Sequence, residues 1–82
     1  MSYNIFYSTI SVKQIKKLDK PLKIQVLKKI AELKENPKLG KPLGNILKNK
    51  RSLRIGKYRV LYSIKGTDVV IAEVGHRKEI YD

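Results

Sequence analysis

Two kinds of hydrophobic spacing follow one another at the start of the chain. From Tyr3 to Tyr7 apolar and polar residues alternate weakly and β-forming residues are frequent, which predicts a first strand. Ser8 can then cap a helix in which Val12, Ile15 and Leu18 recur on one face. The chain is therefore predicted to begin with a strand followed by an amphipathic helix.

A second helix is predicted after the break at Asp19-Lys20-Pro21. Proline is accepted in the first turn of a helix, so Pro21 opens this one. The apolar stripe of the helix consists of Val26, Leu27, Ile30 and Leu33. Asn36-Pro37 ends it, because the residue before proline is disfavoured in the helical region. The two helices are expected to form a hairpin whose apolar faces cover a sheet.

The rest of the chain has the composition of a loop and then of strands. Residues 37–49 contain glycines and prolines without a clear period, which predicts a loop. The strands that follow are predicted at Arg51–Ile55, Tyr58–Ile64 and Val69–Val74. The order β-α-α-β-β-β predicts a single α+β domain over residues 1–82. In it the helical hairpin packs on one face of a mostly antiparallel four-stranded sheet.

A two-residue turn at Gly56-Lys57 would set the register of the first hairpin. Leu53 then lies opposite Val60 on the helix side, and Arg54 lies opposite Arg59 on the other side. Like charges directly opposite on two strands are destabilising. Two solvated arginines splayed apart would explain the pair, and so would phosphates bound between them.

Alternation along the last predicted strand divides its residues between the two sides of the sheet. The helix side receives Val69, Ile71 and Glu73. The side of Arg59 receives Val70, Ala72, Val74 and His76. Arg77 and Tyr81 follow, so they are expected near the same end of the sheet as Arg59.

Charge is the most unusual property of the composition. The formal net charge is +12, and nine lysines and arginines but no acidic residue lie between Glu35 and Asp68. A solvated surface usually mixes both signs, so this stretch predicts an anionic partner. A lysine-rich surface without such a function is the alternative.

Several classes of protein are disfavoured by what the sequence lacks. There is no cysteine and one histidine, His76, so neither disulfides nor thiolate or histidine-cluster metal sites are expected. No apolar run approaches the length of a membrane span, and the N-terminus lacks the shape of a signal peptide. A cytoplasmic protein without cofactor or metal is expected.

The cationic residues suit RNA cleavage by the ribose 2′-hydroxyl. That reaction needs a base, a proton donor for the leaving oxygen and positive charge around the phosphorane. Arginine supplies the charge and binds phosphate oxygens in bidentate fashion. The base could be His76, Tyr81 or Lys50.

Two sequence blocks resemble the signature blocks of the RelE/ParE toxin superfamily. They are Ser52–Tyr62 and Val74–Tyr81. The upstream helical hairpin, with Leu18-Asp19-Lys20 at its bend and Pro37-Lys38-Leu39-Gly40 after it, is similar to the family layout. The resemblance covers almost the whole chain.

The resemblance to the RelE branch implies a ribosome-dependent, metal-independent endoribonuclease that cuts mRNA in the A site. Its partners would be the ribosome, mRNA and an acidic RelB-like antitoxin in a hetero-oligomer. The catalytic residues implied or considered are Arg59, Arg77, Tyr81 and His76. The residues implied to bind RNA are Lys48, Lys50, Arg51, Arg54 and Lys57. Ser52 stands where some relatives carry a lysine that could act as base.

Two alternatives remain at the level of sequence. A ParE-like toxin would share the fold and inhibit DNA gyrase without nuclease activity. A general ribosome- or nucleic-acid-binding module would explain the charge alone. The His76-Arg77 and Tyr81 pattern favours the nuclease.

Overall fold

A computed structural model of the chain describes residues 2–44 and 47–79. The elements in chain order are β1 (Asn4–Tyr7), α1 (Thr9–Lys16), α2 (Lys20–Glu32), β2 (Lys41–Leu43), β3 (Leu47–Ile55), β4 (Tyr58–Lys65) and β5 (Asp68–His76). No helix of the described ranges has the length and apolarity to cross a bilayer.

All five strands belong to one sheet in the order β1-β5-β4-β3-β2. β1 pairs with β5 in parallel, and the other neighbouring strands are antiparallel. The two helices lie between β1 and β2 in the chain, and they pack on one side of the sheet. The predicted α+β architecture is confirmed, with five strands in place of four.

The strand missed by the sequence analysis is β2, which was predicted as part of a loop. It has three residues, and Pro42 at its centre cannot donate to a ladder. Such a strand is tolerated at the edge of a sheet, where β2 pairs only with β3. Three residues are too few to show an alternating pattern, so only the pairing reveals the strand.

The helices begin where the sequence predicts. The Ser8 Oγ accepts a hydrogen bond from the backbone N–H of Ser11 (3.0 Å) and caps α1, while Pro21 lies in the first turn of α2. Their inner faces differ in detail from the prediction, because Val12 and Leu27 are exposed. Ser11 takes the buried place beside Ile15, since its hydroxyl donates to the backbone carbonyl of Ser8 (2.9 Å).

The core lies between the helices and the sheet. Its buried residues are Ile15, Val26, Ile30, Leu33, Leu53, Ile55, Val60, Tyr62, Val69, Ile71 and Val74. Residues on β3 and β4 enter it at every second position, as the hairpin register predicts.

β5 departs from simple alternation because it carries a bulge. Tyr62 pairs with Ile71 and Leu61 pairs with Glu73, which leaves Ala72 without a partner on β4. After the bulge, each side chain of β5 lies on the face opposite to the one that simple alternation predicts. Val74 therefore lies in the core, and Glu73 lies on the face away from the helices. The predicted sides of Glu73 and Val74 are therefore wrong.

Two side chains of the α1 region satisfy the backbone groups of this bulge. The Ser8 Oγ donates to the carbonyl of Ala72 (2.7 Å), and the Gln14 Oε1 accepts from the N–H of Val74 (2.6 Å). The bulge therefore depends on contacts between residues about 60 positions apart in the chain.

Candidate functional site

The sheet face opposite the helices is called here the open face. Its residues on β3, β4 and β5 are Lys50, Ser52, Arg54, Arg59, Leu61, Ser63, Val70 and Glu73, as the strand registers place them. Three of the lysines and arginines predicted to act on RNA lie on it, namely Lys50, Arg54 and Arg59.

Arg54 and Arg59 are directly opposite on the β3–β4 ladder, as predicted. Gly56 has a φ of 58°, which opens the two-residue turn between the strands and sets this register. The Arg59 Nη1 lies 3.4 Å from the Oγ of the buried Ser52, to which it donates, whereas Arg54 is exposed. Two arginines thus lie opposite each other on neighbouring strands, on a face that the helices do not cover.

Arg77 lies at the same end of the sheet. Its backbone N–H donates to the carbonyl of Lys57 (2.8 Å), which continues the β4–β5 ladder beyond the pair Tyr58 and His76. Alternation from Gly75, which pairs with Arg59, places Arg77 on the side of the open face. The structure therefore places Arg54 opposite Arg59 and the backbone of Arg77 at the same end of the sheet.

His76 lies on the helix side of the sheet, so its predicted place beside Arg59 is wrong. The bulge in β5 causes the difference, because it puts His76 on the side of Val74. The imidazole packs edge to face on Tyr58, with ring centroids 5.4 Å apart and planes at 70°. Its Nδ1 accepts from the backbone N–H of Lys78 (3.2 Å), a contact that orders the turn carrying Arg77.

Arg51 is also directed away from the other arginines. It pairs with Tyr62, and its Nη1 donates to the backbone carbonyls of Gly40 (2.6 Å) and Lys38 (3.3 Å). Arg51 thus holds the segment that leads into β2, and the structure does not place it with Arg54.

Tyr62 holds the same segment, residues 37–40, by hydrogen bonds from the core. Its buried hydroxyl donates to the carbonyl of Pro37 (2.6 Å) and accepts from the N–H of Gly40 (2.9 Å). Burial raises the pKa of the Tyr62 phenol from 10.0, while the Gly40 bond and the charge of Arg51 act in the opposite direction. A Cβ on Gly40 would lie 2.8 Å from that hydroxyl, so the close approach requires glycine.

The remaining predicted residues are spread over the chain. Lys50 lies on the open face opposite Ser63, and Lys48 belongs to β3. Lys57 is exposed in the turn at the arginine end. Tyr81 lies outside the described residues.

A cleft of about 720 Å³ adjoins the arginine pair at the β2 edge. The cations that line it are Lys29, Lys41, Arg54 and Arg59, and no described residue lining it is acidic. Lys29 and Lys41 were missed by the sequence analysis. Lys41 carried no sequence signal, because the strand that holds it is revealed only by its pairing with β3.

The arrangement can bind phosphates through fixed cationic donors. Within the described ranges, no three His, Cys, Asp or Glu side chains are grouped so that they could hold a metal ion. The strongest electrostatic feature of the site is the arginine pair.

Comparison with known proteins gives consistent results. The family model for the ParE toxin of the type II toxin–antitoxin system parDE matches residues 5–81. The toxin RelG of Mycobacterium tuberculosis (strain ATCC 25618 / H37Rv) is 35% identical over 85 residues, covering 99% of this chain and 98% of RelG.

Solved structures of RelE toxins share the fold. The toxin–antitoxin complex RelBE2 of Mycobacterium tuberculosis contains a chain that is 33% identical, with a TM-score of 0.83 and coverage of 94% of this chain and 100% of that one. The isolated E. coli RelE toxin, at 22% identity, matches in fold with a TM-score of 0.80 and coverage of 92% and 84%. The chain therefore belongs to the RelE/ParE superfamily of type II toxin–antitoxin toxins.

Proposed function

We propose that this toxin is an endoribonuclease that cleaves mRNA in the ribosomal A site and so inhibits translation. It acts in the cytoplasm as one domain, without a metal ion, and uses the RNA 2′-hydroxyl as the nucleophile. The observation that carries the proposal is the pair of Arg54 and Arg59 on the open face.

The pair supports phosphate chemistry because folding alone disfavours it. Directly opposed like charges on neighbouring strands cost stability, and a bound phosphate between them removes that cost. Arg77 lies at the same end of the sheet, so charge can be placed on more than one side of a phosphorane. Fixed donors of this kind stabilise charge that develops in the transition state.

Roles follow from these positions. Arg59 and Arg77 stabilise the pentavalent phosphate, and Arg54 with Lys50 holds the neighbouring RNA backbone. Tyr81 lies outside the described residues, and its role of orienting the RNA is proposed from the family resemblance. The base is Tyr81 or Lys50. We assign His76 a positioning role in place of a catalytic one, because it lies on the helix side and accepts a hydrogen bond within the turn of Arg77.

The cationic surface also supports an acidic antitoxin as partner. The relative in the RelBE2 complex is bound to an antitoxin, and complexes of RelB and RelE are known from Methanococcus jannaschii at 26% identity. A chain with a net charge of +12 attracts an acidic partner at long range. We propose a RelB-like antitoxin that assembles with this toxin into a hetero-oligomer.

A second candidate function is inhibition of DNA gyrase. It is favoured by the description of the matching family model, which is that of ParE. In this case the arginines would bind a protein or DNA and no RNA would be cut.

In vitro translation followed by mapping of mRNA ends separates the two candidates. The proposed function predicts new 5′ ends within codons of translated mRNA and unaltered DNA supercoiling by gyrase. Intact mRNA together with gyrase-dependent DNA breaks would establish the ParE-like function in its place.

A further inference from the structure

Ser52 carries a buried hydroxyl on the face of the sheet that the helices leave uncovered. The residue is 4% exposed, and the other buried polar residue of the described ranges, Ser11, donates within its own helical turn. Ser52 pairs with Lys41 of β2, and it lines the cleft of about 720 Å³ at the β2 edge, here called the arginine cleft. Helix capping explains the burial of Ser11, but the burial of Ser52 requires another explanation.

We propose that Ser52 is a positioning residue for RNA cleavage, and that its hydroxyl holds the guanidinium of Arg59 toward the arginine cleft. The inference rests on the proposed function in that Arg59 stabilises the RNA phosphate, and it adds a residue that acts through Arg59. The contact that carries it is the hydrogen bond that the Arg59 Nη1 donates to the Ser52 Oγ, at 3.4 Å.

The strand register makes Ser52 a diagonal neighbour of Arg59. Ser52 pairs with Leu61, which follows Arg59 by two residues on β4. Diagonal neighbours on one face of a sheet lie about 7–8 Å apart, within reach of a long side chain. The direct partner of Arg59 is Arg54, whose charge repels it. The Ser52 hydroxyl therefore offers an acceptor two residues along β3 from the repelling charge.

The burial of Ser52 strengthens this contact. β2 covers β3 at this point, because Ser52 pairs with Lys41 and a Cβ on Gly40 would lie 2.9 Å from the Ser52 carbonyl oxygen. Arg51 and Tyr62 hold this approach in place through their hydrogen bonds to the backbone of Gly40. Where water is excluded, a hydrogen bond from a charged donor is stronger than in solution, so it favours one orientation of the guanidinium.

A fixed guanidinium favours catalysis, because a donor that is already in place needs no reorganisation as charge develops on the phosphate. Ser52, Arg54 and Arg59 all line the arginine cleft. A hydroxyl suits the positioning role, since it accepts from the guanidinium without adding a charge, whereas a lysine would repel it. Ser52 thus affects the rate by determining where Arg59 meets the phosphate, without contacting the RNA itself.

Cleavage kinetics on purified ribosomes carrying mRNA test this role. Ser52→Ala should lower kcat by about 10- to 100-fold and leave KM within about twofold, because only transition-state stabilisation is weakened. Ser52→Thr keeps the hydroxyl and should stay within about threefold of the wild-type kcat. Wild-type kcat in folded Ser52→Ala protein, or an equal loss in the two variants, would overturn the inference.

A double-mutant cycle separates positioning from an independent contribution. If Ser52 acts through Arg59, Ser52→Ala should change cleavage by less than about twofold in a protein that already carries Arg59→Ala. A further loss as large as the one in the wild-type background would show that Ser52 acts by itself, and would overturn the inference. Urea denaturation establishes that each protein in the cycle is folded.

NMR of the Arg59 side chain tests the positioning without any cleavage. The Nε–H resonance is assigned by its absence from Arg59→Ala, and its order parameter should fall below about 0.6 in Ser52→Ala while it stays above that value in the wild type and in Ser52→Thr. Equal order parameters in the wild type and Ser52→Ala would overturn the inference. An Arg59 side chain that Ser52→Ala loosens, in a protein that cuts no mRNA, would refute the proposed function alone.

Discussion

Arg54 faces Arg59 directly across the β3–β4 ladder, on the side of the sheet that the helices leave uncovered. The repulsion between the two is built into the hairpin, because the turn at Gly56 sets the register. A phosphate bound between them would remove this repulsion, and both guanidinium groups would contribute to its binding.

Arg59→Ala should lower mRNA cleavage by about 10²- to 10³-fold, the usual effect of losing one transition-state donor. The free energy of unfolding should change by no more than about 1 kcal/mol, because loss of the hydrogen bond to Ser52 is offset by removal of the repulsion from Arg54. Cleavage in a translation extract and chemical denaturation would measure the two effects. Lys13→Ala, on the exposed side of α1, is the control for loss of one positive charge. Wild-type cleavage by folded Arg59→Ala protein would contradict the assignment.

Association with the proposed acidic antitoxin should be accelerated by charge. We expect the association rate constant to fall about tenfold or more as ionic strength rises from low to physiological values. The dissociation rate should change much less, which provides the internal control. Stopped-flow mixing over a series of salt concentrations measures both, and a salt-independent association rate would argue against electrostatic attraction by this surface.

Cleavage should leave a 5′-hydroxyl and a 2′,3′-cyclic or 3′-phosphate, because the nucleophile comes from the RNA. Replacing the 2′-hydroxyl at the cut site by hydrogen or methoxy should abolish cleavage on the ribosome. A chelator should leave cleavage of free RNA at high toxin concentration unchanged; ribosomes need magnesium themselves and are unsuitable for that arm. A 5′-phosphate product, or efficient cleavage of the substituted mRNA, would refute this mechanism.

Tyr62→Phe should destabilise the protein by about 1–3 kcal/mol, because two buried backbone groups lose their partner. These are the N–H of Gly40 and the carbonyl of Pro37. Urea denaturation measures the loss. Tyr58→Phe is a suitable control, since the described contact of Tyr58 is through its ring. Equal stability of the two variants would show that the hydroxyl of Tyr62 does not hold this segment.

The same tyrosine should make the fold sensitive to alkaline pH. Burial raises the pKa of the Tyr62 phenol above 10.0, so the folded state binds this proton more tightly than the unfolded state does. The corresponding stability is complete below pH 10 and is lost as pH rises through the folded value. Burial also raises the pKa of Tyr7, so Tyr62→Phe should weaken this alkaline decline without abolishing it. Denaturation curves of the wild-type and Tyr62→Phe proteins, recorded from pH 8 to pH 11, check the expectation. An identical loss of stability with pH in the two proteins would contradict it.

Several features could be predicted from the sequence because neighbouring residues determine them. The turn at Gly56 sets which residues of β3 and β4 face each other, and so it determines the pairing of Arg54 with Arg59. The start of α1 at Ser8 and that of α2 near Pro21 likewise depend on capping chemistry within a few residues. Alternation and helical spacing then predict the α+β layout without reference to distant contacts.

Only the tertiary structure decided on which face of the sheet each side chain of β5 lies. The bulge at Ala72 exists because Ser8 and Gln14, distant in sequence, satisfy its backbone groups, and one unpaired residue exchanges the two sides of the strand. It thereby placed His76 beneath the sheet and Glu73 on the open face. In the same way, Arg51 is drawn to the carbonyl of Gly40 by a contact that no local pattern encodes. The local sequence determines that side chains alternate along a strand, but long-range hydrogen bonds determine which face of the sheet each side chain occupies.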